Sequence, residues 1–301
     1  MNYVQLLTPD FTLILCGHLV CRFTGLNRTV WEQVDALVYY FLLPVLLFQS
    51  IVRNPLHIGA ASNLMVSGLL LGITGVALVH ALPRLPGIRR YIDSREHAAA
   101  AQVAFRFNSY IGLALAERIA GAQGVTLLAL LMSVCVPLFN ISAVWPMARY
   151  ARRGVFGELA RNPLIIGTVT GLAANLLGLT IPVWMEPTVT RIGAASLALG
   201  LMAAGASLQF QRLAHDKLLA ILILSIRHLI LPLVACGLAR FFQLAPAEAT
   251  VLLAFSALPS SSSSYVLAAR MGYDGAYVAG LVTLSTVLAT ISLPFALGVL
   301  R

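Results

Sequence analysis

Charge is scarce in this chain. Asp, Glu, Lys and Arg supply 10% of its 301 residues and hydrophobic residues supply 59%, whereas soluble domains carry about 25% charged residues. With a mean hydropathy of +0.88, the composition excludes an ordinary soluble domain and calls for an integral membrane protein. Cysteine is rare too. Cys16, Cys21, Cys135 and Cys236 are the four present; they lie within or at the ends of apolar stretches, at no metal-ligand spacing, which leaves them packing roles.

Several kinds of chemistry are missing as well. The chain has no Gly-x-x-x-x-Gly-Lys-Ser/Thr loop, so it does not itself hydrolyse ATP. It has no His/Cys/Asp cluster at ligand spacing and no Gly-x-Ser-x-Gly elbow. A serine run without a nearby base is poor material for a hydrolase, because an unactivated hydroxyl is a weak nucleophile. The sequence therefore predicts no catalytic residue, no bound metal and no cofactor. Energy for any pumping would come from an ion gradient.

What the chain does have is long apolar runs. A span needs about 20 such residues, and that ruler places ten, at roughly residues 5–22, 30–51, 58–82, 97–119, 122–148, 162–180, 187–209, 217–242, 247–269 and 274–300. The residues before Asp10 hold no Lys or Arg, so the first span is expected to stay rather than to be cleaved as a signal. The net charge of +9 does not mark a nucleic-acid partner, since the basic residues fall mostly in short loops. Thirteen follow odd spans: Arg22, Arg28, Arg84, Arg89, Arg90, Arg95, Arg149, Arg152, Arg153, Arg161, Arg212, Lys217 and Arg270. Five follow even ones: Arg53, Arg118, Arg191, Arg240 and Arg301. The positive-inside rule then puts the odd loops in the cytoplasm and both termini outside.

The chain also carries an internal echo. Leu115-Ala116-Glu117-Arg118-Ile119 with Gly121 and Gly124 lies over Leu267-Ala268-Ala269-Arg270-Met271 with Gly272 and Gly275, allowing one gap. An offset of five spans is odd, so two such halves would be inverted in the membrane, as in many secondary transporters. The expected fold is all-α, with ten transmembrane helices in two inverted five-helix repeats, residues 1–150 and 151–301, and no separate soluble domain.

Two spans are interrupted. Phe105-Arg106-Phe107-Asn108-Ser109-Tyr110-Ile111-Gly112 in the fourth, and Leu258-Pro259 followed by Ser260, Ser261, Ser262, Ser263, Ser264 and Tyr265 in the ninth, place helix-weakening polar residues at membrane depth. Broken backbone is tolerated there only against protein or a watery cavity, and each break would expose a half-helix N-terminus suited to an anionic group. The expected substrate site is Arg106, Asn108, Ser109, Gly112, Pro259 and Ser260 to Ser263. Arg106 has three readings: contact with an anion, structural pairing, or lipid phosphate at a vestibule. Arg227 and His228, just before Pro232, are candidates for ion or proton coupling, against a plain structural hydrogen bond for His228. Asn140 and Gln49 read as packing polar residues.

These residues resemble a known family. The run from Phe105 to Ala114, Asn162-Pro163, and Ala257 to Ala268 with Gly272 and Asp274 are similar to bacterial members of the auxin efflux carrier family, over essentially the whole chain. The resemblance implies a fold like that of bile-acid symporters and sodium/proton antiporters, with the fourth and ninth helices discontinuous and crossing at Asn108 and Pro259. It implies that one bundle (spans 3 to 5 and 8 to 10) moves against another (spans 1, 2, 6 and 7) in a cell inner membrane. It also implies carboxylate cargo, auxins in plants and malonate or malate in bacteria. The chain departs from the family by reading Ile111-Gly112-Leu113-Ala114 where many relatives have a proline near the first break. Its central loop, Arg149 to Arg161, is short. Unlike cation antiporters of similar fold, it has no aspartate in the fourth or ninth span. The function expected is secondary transport of a small organic anion by alternating access. The alternatives are a cation or proton antiporter of the same fold and a non-transporting membrane sensor. Oligomeric state stays open, a homodimer being one arrangement allowed.

Overall fold

Lipid offers no hydrogen bonds, so apolar segments must satisfy their backbone internally, and helices do so. The computed structural model describes residues 3–53, 62–150, 163–206, 216–261 and 263–300, and among the described residues every regular element is helical. In chain order these are α1 (Tyr3–Phe23), α2 (Arg28–Arg53), α3 (Ser62–Ala81), α4 (Ser94–Ala100), α5 (Gln102–Phe105), α6 (Ser109–Tyr150), α7 (Pro163–Leu176), α8 (Glu186–Ala206), α9 (Lys217–Phe241), α10 (Pro246–Ala257), α11 (Ser263–Arg270) and α12 (Gly275–Gly298). Each interval expected from hydropathy contains helix. Five stretches, Arg28–Arg53, Asn63–Arg84, Gln123–Met147, Lys217–Phe241 and Gly275–Gly298, are long and apolar enough to cross a membrane by length and composition. Ser262, Asn162 and the loop cations Arg152, Arg153, Arg161, Arg212 and Arg301 lie outside the described residues.

Short polar side chains start the helices. Asn27 accepts from the amides of Thr29 and Val30 at α2, Asp93 from Arg95 and Glu96 at α4, Asp216 from Leu219 at α9, and Asp274 from Ala276 and Tyr277 at α12. Each cap satisfies amides that the first turn leaves free. Prolines reshape two helices. The turn widens to π geometry at Val38–Leu42 in α2 and at Ile226–Ile230 in α9, just before Pro44 and Pro232, which lack an N–H and crowd the carbonyl four residues back. Within α6 the chain turns sharply at Ala120 and Gly121, where Gly121 has φ of 58°, a left-handed conformation that glycine adopts without steric cost.

The helices pack chiefly within two groups. In one, α1 lies on α8 and α2 on α7 and α8; in the other, α3, α10 and the second part of α6 pack together with α9, α11 and α12. Small residues set the closest approaches. A Cβ on Gly205 would overlap the Ile14 carbonyl and one on Gly17 the Met202 carbonyl, while Gly167 faces the Pro44 backbone. In the second group Gly68 sits against Leu131, Gly72 sits against Phe139, and the Cys135 thiol donates to Gly68 O at 3.3 Å.

Candidate functional site

The two interruptions meet. Residues 106–108 and 258–261 leave helical geometry, and Asn108 N–H donates to Pro259 O at 2.8 Å, joining one break to the other through the backbone. Asn108 also starts the helix that follows, its Oδ1 accepting from Ile111 N–H at 3.2 Å. Gly112, one turn on, lets Leu258 approach; a Cβ there would lie 2.9 Å from Leu258 Cδ1.

Beside this junction lies a small half-open cavity, whose empty space with the adjoining open solvent counted in is about 380 Å³. Its polar wall is Arg106, Ser109, Asn140, Ser261 and Ser263, and its apolar wall is Leu43, Phe107, Val136 and Phe139. The aromatic wall is itself packed: the Phe107 ring meets those of Phe139 and Phe255 edge-on, with centroids 6.1 and 4.6 Å away. Leu43, which follows the α2 π turn, belongs to the first helix group, and the other lining residues belong to the second. The cavity therefore lies on the border between the groups.

Arg106 is 5% exposed. One Nη donates to Gln102 Oε1 at 2.9 Å, the other to Ser263 Oγ at 3.0 Å and to Asn140 Oδ1 at 3.3 Å. These partners are neutral, and among the described residues no carboxylate lies within ion-pair distance. Asn140 Nδ2 is buried and has no hydrogen-bond partner among the described residues. Gln102, which orients Arg106, donates to Ala99 O and Ser264 O; Ser261 and Ser263 share a hydrogen bond of 2.8 Å.

Of the residues expected from sequence, Arg106, Ser109, Ser261 and Ser263 line the cavity. Asn108, Gly112 and Pro259 instead shape the junction behind it. Ser260 donates its amide to Ser285 Oγ at 2.9 Å, and its hydroxyl is buried without a partner among the described residues. Ser262 lies outside the described residues. Arg227 and His228 are buried but do not line the cavity. Asn140, read from sequence as packing, stands on the wall. Phe107, Val136, Phe139 and Leu43 were not singled out as site residues.

Known proteins place this geometry in context. An uncharacterized transporter of Methanothermobacter thermautotrophicus is 26% identical over 304 residues, covering 98% of this chain and 97% of its own length. A family model described as membrane transport protein matches residues 145–297. The chain belongs to the auxin efflux carrier family. An auxin efflux carrier is a multi-pass membrane transport protein, and the membrane-length helices agree with that class. The matched segment, residues 145–297, contains the second interruption with Pro259, Ser261 and Ser263 but not the first with Arg106.

Proposed function

We propose that the chain is a secondary carrier for a small organic anion, a mono- or dicarboxylate, working by alternating access in a cell inner membrane. The observation that carries this reading is Arg106, a buried guanidinium on the cavity wall whose partners among the described residues are all neutral. An arginine at membrane depth costs on the order of 3 kcal/mol even by insertion scales, and an anionic guest would offset that cost. Ser109, Ser261, Ser263 and the spare amide of Asn140 add donors, and the N-termini of α6 and α11 add partial positive charge. One guanidinium facing an apolar wall suits a single carboxylate on an apolar body better than two carboxylates.

Two inverted five-helix repeats, residues 1–150 and 151–301, with both termini on the non-cytoplasmic side, are the topology that goes with this function. In support, the interruptions sit in the fourth and ninth intervals and touch. Gly121 and Gly272, matched in the sequence echo, both have positive φ, 58° and 81°, and their partners Gly124 and Gly275 both face the helix just before, at Ala116 O and at Ala269 Cβ. A cavity bordered by two separately packed helix groups suits rocking of one against the other. A bare-cation antiporter would need a carboxylate at the cavity, and among the described residues no lining residue is one.

The deciding experiment is an unfolding-temperature screen of the purified protein against a carboxylate library, followed by counterflow of the stabilising acid in liposomes. Stabilisation that Arg106→Gln abolishes, together with counterflow by wild type, is the expected result. Stabilisation without exchange would make the protein a sensor, and no response to any carboxylate would end the anion reading.

A further inference from the structure

Both interruptions strip buried backbone groups of their helical partners, Phe105 and Leu258 each being 1% exposed, and such groups must be satisfied by protein. Two adjacent residues of the α9 π turn meet that need. Arg227 Nε donates to Leu258 O at 2.7 Å, and Nη1 makes a longer 3.4 Å bond to Phe105 O. Phe105 ends α5 and Leu258 caps α10, so one side chain closes the C-terminal ends of the helical stretches that lead into both breaks. His228 holds the other side of the second break through two serines. Ser260 N–H donates to Ser285 Oγ, which lies 2.8 Å from His228 Nε2; His228 Nδ1 lies 2.8 Å from Ser292 Oγ, which donates to Ala257 O at 3.4 Å.

The charges at this point are specific. A helix C-terminus carries about half a negative charge, and two of them converge here. Arg227 is 2% exposed, among the largest fully buried side chains, and no carboxylate lies within ion-pair distance of it among the described residues. Its Nη2 has no hydrogen-bond partner among the described residues. It does not reach the cavity that Arg106 lines.

We propose that Arg227 is a built-in cation. It neutralises the paired C-terminal ends of the two interrupted helices, and the place it occupies would otherwise attract a small monovalent cation. Arg227 is thus a positioning residue: it holds the two breaks together so that Arg106 and the serines keep their cavity. This inference rests on the carrier reading for its purpose, but its test involves no organic anion, so the two fail separately.

The test compares wild type, Arg227→Lys and Arg227→Met as purified proteins, by unfolding temperature and by equilibrium binding of radioactive sodium, with sodium chloride exchanged for choline chloride at constant ionic strength. Wild type is expected to bind no sodium saturably and to unfold at the same temperature in both salts. Arg227→Met is expected to unfold earlier in choline and to regain stability, saturably, with sodium or millimolar guanidinium. Arg227→Lys is expected to stay indifferent to sodium. A merely space-filling side chain would give an Arg227→Met protein that no cation rescues, and that result overturns the proposal. If Arg227→Met cannot be recovered folded, the wild-type measurement still decides, since saturable sodium binding and stabilisation there would mean the junction is not already neutralised.

Discussion

Arg106 concentrates the residue-scale argument. A charged hydrogen bond contributes about 1.5–3 kcal/mol, so Arg106→Gln is expected to weaken binding of the stabilising carboxylate by about 10- to 150-fold while leaving the protein inserted; isothermal titration in detergent measures it. Asn108→Ala removes the cap on Ile111 N–H, worth about 1 kcal/mol, and is expected to abolish uptake while leaving membrane insertion intact, a combination that liposome flux and membrane fractionation separate. Arg106, Ser109, Ser261 and Ser263 on the wall of the candidate cavity were legible in the sequence because polar residues within apolar runs stand out. Phe107, Val136, Phe139 and Leu43 were not, since an apolar wall has no contrast in a chain this apolar. Asn140 was visible, but nothing in its neighbours said that it faced a cavity rather than a helix.

At the scale of elements, the positions of the helices follow from hydropathy and their shapes follow from single residues. Gly121 turns within α6 at φ 58° and ψ −144°, a region nearly reserved for glycine, so Gly121→Ala is expected to cost about 1–3 kcal/mol, seen as a lower unfolding temperature with unchanged insertion. Gly205 lets α8 touch the α1 backbone at Ile14; Gly205→Ala has no room for its methyl and is expected to destabilise more than Gly121→Ala in the same assay, because backbone rather than a side-chain tip must move. The π turns were less legible. Pro44 and Pro232 announced a disturbance, but a proline alone does not say whether a helix will kink or widen, and the choice depends on neighbours across the packing. The sharing of Arg227 between Phe105 O and Leu258 O lay beyond sequence reading for a similar cause. Backbone carbonyls have no sequence identity, so nothing marks which of them a distant guanidinium will meet.

For the whole molecule, the sorting of helices into two packed groups matters most. Leu43 crosses from one group to the wall built by the other, so Leu43→Trp is expected to jam the border and slow counterflow of the stabilising acid at least tenfold, with stability little changed. Equal exchange by Leu43→Trp and wild type would show that the cargo does not pass this border. The class of protein was readable from composition and the family from the two interrupted motifs, whereas the sorting into groups needed the glycine contacts of α1 with α8 and of α3 with α6. Arg106 ties those levels together. Gln102, Asn140 and Ser263 belong to α5, α6 and α11, and all three are moored to one guanidinium. A guest drawing that group toward itself would loosen three struts at once, so the arrival of cargo would itself unlatch the frame that must then swing.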